Sequence, residues 1–294
     1  MRAGRYRRAM SFVITGATGQ LGRLVVTELL DRGVPADRIV AGGRNLDRIT
    51  DLAALGVTTT RFDYDDPASM DAALSEGDTL LLISSDAVGT RVAQHRAVIG
   101  SAVRAGVSRL LYTSVLSAEG SPLVLAADHV ETEQLIRDSG LPFTLLRNGW
   151  YTENYAPALQ QAAATGEVLT SAGEGRVASA TRADYAAATA GALVGQGHEN
   201  KVYELSGDYA WDFDELALAF STLLGREVVH RGVTPEEHLA ALLDAGVDEQ
   251  TAGFLVALDA GTRAGALALT TGDLSRLAGR PSTALLDGLR PLLG

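Results

Sequence analysis

The chain has 294 residues, 46% of them hydrophobic, and carries a formal net charge of -11 at pH 7. This acidic balance argues against a nucleic-acid-binding surface, and no apolar run is long enough to span a bilayer. The sequence contains no cysteine, which excludes disulfides, thiolate catalysis and zinc–thiolate sites and fits a reducing cytoplasm.

The first ten residues, MRAGRYRRAM, differ from the rest because they contain Arg2, Arg5, Arg7 and Arg8. They are too short for a secretory signal and lack its apolar centre. We interpret 1–10 as a flexible tail, with Met10 as the more natural beginning, and keep a regulatory or targeting role as the alternative.

From residue 11 onward, short β-rich runs alternate with segments of helical spacing. Such alternation predicts repeated βαβ units and a parallel sheet with helices on both faces. The predicted strands are Phe12–Thr15, Arg38–Ala41, Thr58–Phe62, Thr79–Ser84, Arg109–Thr113 and Phe143–Leu146. The predicted helices are Leu21–Leu30, Leu46–Leu55, Pro67–Leu74, Thr90–Ala105 and Asp128–Ser139.

Two kinds of residue mark the helix ends. Glycines follow all but one of these helices, at the position where a left-handed cap favours glycine. Asp128 followed by Glu131 predicts a capping box that opens the last of them. The glycines are Gly33, Gly56, Gly106 and Gly140.

The alternation stops near residue 150. The predicted fold class is α/β, with a Rossmann-type, doubly wound parallel sheet over 11–150 and a smaller α/β C-terminal substrate lobe over 151–294. We expect the lobe to pack against the first domain around a cleft, with some elements free to interleave. Its predicted elements include the segment Tyr185–Val194, the strand KVYEL at 201–205, and amphipathic helices at Phe213–Leu224 and Pro235–Leu243.

The stretch TGATGQLG, Thr15 to Gly22, joins the first predicted strand to the first helix. Gly16 permits a tight turn, Gly19 lets the backbone approach phosphates, and Gly22 lets the helix pack closely on the strand. A helix N-terminus also favours the pyrophosphate of a dinucleotide. The spacing therefore predicts a dinucleotide site, against the alternative of a tight turn without a ligand.

The end of the second strand decides between NAD and NADP. NAD sites place an acid there for the ribose hydroxyls, whereas NADP sites place an arginine against the 2′-phosphate. This region reads RIVAGGRN, with no acid between Arg38 and Leu46, and Arg44 stands at the expected distance. We predict NADP(H), with a solvated surface residue as the alternative interpretation of Arg44.

Position in the fold indicates further contacts. Asp63, after the third strand, is placed to accept a hydrogen bond from the adenine amine, or else to cap the turn before Pro67. Ser84 and Ser85 end the predicted fourth strand, where they would lie over the cofactor.

Many short-chain dehydrogenases use a tyrosine whose pKa is lowered by a lysine four residues later. The only lysine here is Lys201, and Gly197 stands four residues before it. The Tyr/Lys pair is therefore absent, which argues against interconversion of alcohols and ketones. A quinone accepts hydride more easily, because reduction restores aromaticity and leaves a stabilised phenolate. The alternative is a protein that senses a nucleotide without catalysis.

Five stretches together resemble one known group of enzymes. The chain is similar, from about Phe12 to its C-terminus, to the bacterial NADPH-dependent quinone oxidoreductases of the NmrA-like, atypical short-chain dehydrogenase family. The resemblance implies a Rossmann domain with a small C-terminal lobe, NADPH as hydride donor, quinone substrates and no Tyr/Lys pair. The stretches are ITGATGQLG, LLLISSDAVGTRVAQHRAVI, YTSVLSAEGSPLVLAADHVETE, TLLRNGWYTENY and ASATRADYAAA.

The same resemblance implies which residues contact the nucleotide. Those in the first turn are Gly16, Ala17, Thr18, Gly19, Gln20 and Leu21. The others are Arg44, Ser84, Ser85 and the segment from Asn148 to Glu153, which includes Gly149, Trp150 and Tyr151.

NGWYTENY follows the carboxyl end of the sixth strand, where ligands bind in open α/β sheets. Asn148 is a candidate for holding the nicotinamide amide or a quinone oxygen, and Trp150, Tyr151 and Tyr155 for enclosing a flat aromatic substrate. The alternative is packing between the lobes, since aromatic residues at such a junction are often core.

His129 lies in the first turn of the helix that Asp128 opens, roughly where relatives with a catalytic lysine carry it. A helix N-terminus disfavours imidazolium, so a neutral His129 is a candidate donor to a substrate oxygen, and a surface histidine is the alternative. Tyr112 is interpreted as a positioning donor or a packing residue. No metal site is expected, because His95, His198, His230 and His238 lack metal-ligand spacing.

The leading hypothesis is an enzyme that passes hydride directly from NADPH to a quinone, without flavin or metal. His129, Asn148 or Tyr151 would stabilise the phenolate, and solvent would supply protons. The rival is an NADP(H)-binding redox sensor that regulates a partner protein, and a reductase of other conjugated carbonyls is a third hypothesis. We expect a cytoplasmic protein, with a homodimer as one candidate assembly.

Overall fold

The computed structural model describes residues 10–87 and 89–293. Residues 1–9, nearly all of the predicted tail, lie outside the described residues, so that prediction stays a prediction. The strands are β1 (Phe12–Ile14), β2 (Ile39–Gly43), β3 (Thr58–Arg61), β4 (Thr79–Leu82), β5 (Arg109–Val115), β6 (Phe143–Asn148), β7 (Glu167–Thr170), β8 (Lys201–Leu205) and β9 (Val229–Gly232).

Seven of these strands form one sheet in the order β3-β2-β1-β4-β5-β6-β8, and β7 pairs with β9 separately. Pairing is parallel between β1 and β2, β1 and β4, β2 and β3, and β4 and β5. Val13 at the centre lies opposite Val40 on one side and Leu80 on the other. The strand order reverses between β1 and β4, which is where doubly wound sheets bind their ligands. The predicted fold class is confirmed.

The strands form where the sequence is almost continuously apolar. All five residues of β2 and all six of β6 are buried, as expected for parallel strands covered on both faces. The helices are α1 (Gln20–Asp31), α2 (Thr50–Ala54), α3 (Pro67–Ala73), α4 (Arg91–Ala105), α5 (Ala126–Asp138), α6 (Ala156–Thr165), α7 (Arg182–Val194), α8 (Phe213–Leu224), α9 (Pro235–Asp244), α10 (Glu249–Arg263), α11 (Asp273–Ala278) and α12 (Leu285–Leu289).

The prediction of glycine caps is confirmed, because Gly33, Gly56, Gly106 and Gly140 all have positive φ. The segment predicted to be helical over Leu46–Leu55 is helical as far as Ala54, but it is divided into two helices. The Asn45 side chain accepts the Asp47 N–H, which starts a tight 3-10 helix at Leu46–Ile49 before α2 begins.

The predicted capping box at the start of α5 is also wrong. The helix begins at Ala126, two residues before Asp128. Asp128 therefore lies inside the first turn, where its carboxylate pairs with Arg91 instead of capping the helix. The leading alanines, which favour helix strongly, account for the earlier start.

The sequence predicts that the strand KVYEL belongs to the C-terminal lobe, and this is wrong. The segment forms β8, which is the edge strand of the main sheet beside β6. Its start is fixed by the Asn200 N–H, which donates to the Phe143 carbonyl at 2.6 Å. The pair β7 and β9 is absent from the sequence prediction, because both strands are only four residues long and β9 is largely exposed.

Contacts divide the chain into two compact units. The first contains the chain up to Ser114 together with Asp128–Leu146 and Ala186–Tyr203, and the second contains Val115–Ala127, Arg147–Tyr185 and the chain from Glu204 onward. The assignment of 151–294 as a substrate lobe stays a prediction. The core of the first unit includes Val13, Val40, Leu80, Leu110 and Tyr112. The core of the second includes Leu159, Trp211, Phe213, Phe220 and Leu289.

The described residues, 10–87 and 89–293, contain neither a membrane-spanning helix nor a metal cluster. No helix in these ranges is both long and apolar enough to cross a membrane. Within the same ranges, no group of three or more His, Cys, Asp or Glu side chains is arranged to hold a metal ion.

Candidate cofactor and active site

The turn between β1 and α1 has the backbone that its glycine spacing predicts. Gly16 has a φ of 60°, in the left-handed region that favours glycine. The Gly19 N–H donates to the Gly16 carbonyl at 2.9 Å, and the Ala17 N–H donates to the Gly42 carbonyl at 2.9 Å. The turn is thus closed on itself and tied to β2.

Two further glycines keep this turn compact. A Cβ on Gly22 would lie 2.4 Å from the Gly16 carbonyl oxygen, far inside van der Waals contact. A Cβ on Gly43 would lie 2.4 Å from Thr18 Cγ2. The first turn of α1 and the end of β2 therefore both require glycine, which confirms the packing role predicted for Gly22.

The N-terminus of α1 carries no side-chain cap. Gly19 precedes the helix, and the first turn contains neither a capping hydrogen bond from a side chain nor an acidic residue. Gly19 and Gln20 are exposed, whereas Ala17 and Leu21 are buried. The first N–H groups of α1 therefore suit an anion such as a pyrophosphate, and Ala17 and Leu21 would contact it through backbone.

Arg44 is exposed directly after β2. Among the described residues its guanidinium makes no ion pair, so it is available to a charged ligand. The nearest acid along the chain is Asp47, whose backbone N–H is bound by Asn45. This environment suits a 2′-phosphate, which an arginine binds through paired charge-assisted hydrogen bonds.

Asp63 follows β3 in a turn that already uses its carboxylate. Its Oδ2 accepts a hydrogen bond from Arg61 at 2.8 Å, and its Oδ1 accepts one from the Asp65 N–H at 3.3 Å. The alternative that Asp63 caps the turn before Pro67 is therefore confirmed, and the next helix, α3, has its own N-cap in Asp66. The contact of Asp63 with adenine stays a prediction.

Ser84 and Ser85 lie just beyond β4, which ends at Leu82 and not at Ser84 as predicted. The Ser84 N–H donates to Thr113 Oγ1 at 2.8 Å, which ties the loop to β5. Ser85 Oγ is buried and has no hydrogen-bond partner in the part of the chain that the structure describes. A buried hydroxyl oxygen without a partner is unusual in a folded protein and fits a group that meets a ligand.

His129 and Tyr112 form a buried pair in the first unit. His129 Nδ1 lies 2.7 Å from the Tyr112 hydroxyl. Burial, and then the positive charge of Arg91, lowers the pKa of His129 to about 4, and burial raises the pKa of Tyr112 above its usual value of 10. Both side chains are therefore neutral near pH 7. The pairing allows the Tyr112 O–H to donate to Nδ1, which leaves the His129 proton on Nε2.

The buried histidines predict a specific loss of stability in acid. Burial also lowers the pKa of His95 to about 3. A folded-state pKa below the unfolded value of about 6.5 means that the unfolded chain binds protons first as the pH falls. The stabilisation is complete above pH 6.5 and is lost as the pH decreases toward the folded-state pKa.

Between pH 7 and pH 5 each of these two histidines should therefore remove about 2 kcal/mol from the free energy of unfolding. Urea unfolding at the two pH values measures this change. His129→Gln should show a pH dependence smaller by about 2 kcal/mol, and an unchanged dependence would contradict the assignment.

Asn148 lies at the end of β6, in the second unit. Its Nδ2 donates to the Tyr151 hydroxyl at 3.4 Å, and its Oδ1 is buried and has no partner among the described residues. A Cβ on Gly149 would lie 3.1 Å from both the Leu205 carbonyl oxygen and the Tyr185 hydroxyl. Glycine at 149 thus serves packing, whereas the unpaired Oδ1 of Asn148 fits a ligand-binding group.

The aromatic residues after Asn148 have different surroundings within the second unit. The Arg182 guanidinium lies 4.6 Å from the centroid of the Tyr151 ring. Tyr155 packs edge-on against Trp211 at 5.0 Å, and Trp150 also packs against the core of this unit. Trp150 and Tyr155 therefore pack in the core of the second unit, and their role in enclosing a substrate stays a prediction.

Several residues around the loop after β4 are missed by the sequence analysis. Tyr64 donates to the Ile83 carbonyl at 2.7 Å, and the Ile83 N–H donates to Thr15 Oγ1 at 2.9 Å. Arg91 and His95 on α4 bind the backbone of Ser85. The only sequence signal for them is their position one helical turn apart at the start of α4, directly after the two serines.

Taken within the first unit, these groups fit a dinucleotide. The uncapped N-terminus of α1, the exposed Arg44 and the unpaired Ser85 Oγ all follow strands at the carboxyl edge of the sheet. Lys201 is the exposed first residue of the edge strand β8. The residue four positions before it is Gly197, so Lys201 has no tyrosine at the spacing of the Tyr/Lys pair.

Comparison with known proteins gives consistent matches. The family described as NAD(P)H-binding matches residues 16–194. The chain is 46% identical over 279 residues to quinone oxidoreductase 2 of Escherichia coli strain K12, covering 95% of this chain and 97% of that protein.

Two solved structures are similar over nearly the whole chain. The NADPH complex of the NADPH-dependent quinone oxidoreductase QOR2 from Escherichia coli has a TM-score of 0.92 and 45% identity, covering 96% of this chain and 100% of that one. Triphenylmethane reductase of Citrobacter sp., complexed with NADP(H), has a TM-score of 0.91 and 38% identity, with coverage of 96% and 100%.

Proposed function

This chain belongs to the NAD(P)H-binding family, and we propose on that premise that it reduces quinones with NADPH by direct hydride transfer, without flavin or metal. It is an oxidoreductase and its cofactor is NADPH. The observation that carries the proposal is the likeness, over nearly the whole chain, to a quinone oxidoreductase that binds NADPH. No observation on the described residues favours the alternative of a sensor without catalysis.

The residues of the first unit suit this cofactor. The turn from Gly16 to Gly22 and the first N–H groups of α1 would hold the pyrophosphate, and Arg44 would hold the 2′-phosphate. Bound NADPH supplies the hydride. Because the Tyr/Lys pair is absent, the chain lacks the usual proton donor for a ketone, and a quinone is the acceptor that needs it least.

His129 supplies a hydrogen bond and not a proton. The neutral imidazole, with Nδ1 bound to the Tyr112 hydroxyl, presents its Nε2–H as a donor to the quinone oxygen that gains negative charge. Tyr112 cannot replace a lost proton readily, because burial raises its pKa. Solvent would therefore protonate the product. Asn148 and Tyr151 are further candidates for binding the nicotinamide amide or the quinone.

The function is tested with protein purified free of flavin. We expect NADPH to be oxidised when benzoquinone is added, with NADH a much poorer donor. NADPH deuterated at the transferred C4 position should yield deuterium loss from the nucleotide and a slower reaction if hydride transfer limits the rate. Tight binding of NADPH without oxidation by any quinone tested would overturn the proposal in favour of a sensor.

Replacing His129 separates hydrogen bonding from proton transfer. His129→Leu should lower kcat for benzoquinone about tenfold, the effect of one lost hydrogen bond, with little change in NADPH affinity. His129→Gln retains an N–H near the Nε2 position and should recover part of the rate. The wild-type kcat should also be flat from pH 6 to pH 8. A titration near pH 6.5 that disappears in His129→Gln would contradict the neutral donor.

For assembly and location we propose a homodimer in the cytoplasm. The sequence contains no cysteine, which suits a reducing compartment.

A further inference from the structure

The peptide of Ser85 is held from both sides by α4. The Ser85 N–H donates to His95 Nε2 at 3.1 Å, and the Ser85 carbonyl accepts a hydrogen bond from Arg91 Nε at 2.7 Å. Arg91 and His95 are one helical turn apart, so both reach the loop from the same face of the helix. Both side chains are buried. The loop after β4 is therefore fixed at Ser85 in both of its backbone polar groups.

These two side chains are themselves bound to α5. Arg91 Nη1 pairs with Asp128 Oδ2 at 3.4 Å, and His95 Nδ1 lies 3.0 Å from Thr132 Oγ1. Thr132 Oγ1 donates its own proton to the Asp128 carbonyl at 2.8 Å. It must therefore accept from His95, which places the imidazole proton on Nδ1 and leaves Nε2 free to accept from Ser85. The hydrogen bonds thus fix a single neutral tautomer of His95.

The hydroxyl of Ser85 is held in place by this arrangement. Ser85 Oγ is buried and finds no hydrogen-bond partner among residues 10–87 and 89–293, although the N–H and carbonyl of Ser85 are both hydrogen-bonded. Burying such an oxygen without a partner is unfavourable, so a fixed, unpaired hydroxyl is expected where a ligand supplies the missing hydrogen bond.

The sheet order indicates which half of the cofactor this hydroxyl meets. β4 lies next to β1 on the side away from β2, and Arg44 follows β2. A dinucleotide whose pyrophosphate rests on the turn after β1 extends its two nucleosides in opposite directions from the switch point. The 2′-phosphate at Arg44 places the adenosine beyond β2. The nicotinamide riboside consequently extends past β4, toward Ser85.

We propose that His95 is a positioning residue, which with Arg91 holds Ser85 so that its Oγ bonds the nicotinamide riboside half of NADPH. The inference rests on the proposed function, since it assumes that NADPH is the cofactor. Neither His95 nor Arg91 touches the cofactor in this arrangement, and both act through the Ser85 peptide.

Two substitutions at His95 separate its two hydrogen bonds. In His95→Asn the amide N–H lies near the Nδ1 position and keeps the bond to Thr132, but the acceptor for the Ser85 N–H is lost. In His95→Gln the amide oxygen lies near the Nε2 position and keeps that acceptor. Ser85→Ala removes the hydroxyl and leaves both helices unchanged.

Binding of two nucleotides is measured by titration calorimetry. One is NADPH, and the other is 2′-phospho-ADP, which lacks the nicotinamide riboside. We expect His95→Asn and Ser85→Ala to weaken NADPH about tenfold and to leave 2′-phospho-ADP unchanged, with His95→Gln close to wild type for both.

Each other result has a definite meaning. Equal loss of both nucleotides in His95→Asn would show a general structural role and overturn the inference, as would unchanged NADPH affinity in Ser85→Ala. If His95→Asn does not fold, Ser85→Ala and His95→Gln still decide. Wild-type protein that binds neither nucleotide would instead contradict the proposed function itself.

Discussion

Replacing Arg44 with glutamate is expected to raise the dissociation constant of NADPH about a hundredfold and to change that of NADH no more than about threefold. The guanidinium would lose its charge-assisted bonds to the 2′-phosphate, and the new carboxylate would repel that phosphate. NADH carries a 2′-hydroxyl in place of the phosphate, and this hydroxyl can donate a hydrogen bond to a carboxylate. Titration of both nucleotides, or the KM of each with benzoquinone, measures the effect.

Arg104→Glu is the matched control for this change. It alters the net charge by the same amount, but Arg104 lies at the C-terminal end of α4 and pairs with Asp71. That end of the helix precedes β5 and is therefore remote from the carboxyl edge of the sheet. We expect the control to bind NADPH normally. Equal weakening of NADPH and NADH by Arg44→Glu would refute the assignment of the 2′-phosphate to Arg44.

Gly22→Ala should be nearly as severe, through packing instead of charge. The added Cβ would lie 2.4 Å from the Gly16 carbonyl oxygen and 2.9 Å from the Ala17 Cα, both backbone atoms that cannot rotate away. The turn must shift, and it carries the N–H groups proposed to hold the pyrophosphate. We expect about 2 kcal/mol lower free energy of unfolding and about a hundredfold weaker NADPH binding, measured by urea unfolding and calorimetry.

The chain contains a fitting control in Gly253, which also lies inside a helix. A Cβ there would meet no heavy atom within 4 Å. Gly253→Ala should therefore leave NADPH binding unchanged and stabilise the protein by about 0.5–1 kcal/mol through helix propensity. If Gly22→Ala behaved like this control, the close approach of α1 to the turn would not be a requirement of the site.

The features that could be predicted from the sequence are local ones. The glycines at 16, 19 and 22 predict the turn between β1 and α1 and the close packing of α1 against it, all within eight residues. Arg44 is identified by the absence of acidic residues around it. Positive φ at Gly106 and Gly140 follows because the helix before each must end there. Such features need only the chain immediately before and after them.

The missed features depend on residues far apart in the chain. His95 is indistinguishable from a surface histidine until α5 brings Thr132 against it, 37 residues later. The partners of KVYEL lie in β6, so nothing within the segment itself places it in the main sheet. The pairing of Asp128 with Arg91 is of the same kind, because the two residues lie on different helices.

The edge position of β8 has a consequence for the order of synthesis. The first unit contains Ala186–Tyr203, and Arg109 donates to the carbonyls of Ala192 and Leu193 near the end of α7. A ribosome that has released only the first 150 residues has therefore not yet supplied the last strand or this helix. The first unit cannot complete its sheet until more than fifty further residues have been synthesised, and until then β6 is an edge strand without a neighbour on that side. A fragment that ends near residue 150, where the strand–helix alternation stops, would permanently lack β8 and leave β6 as an exposed edge.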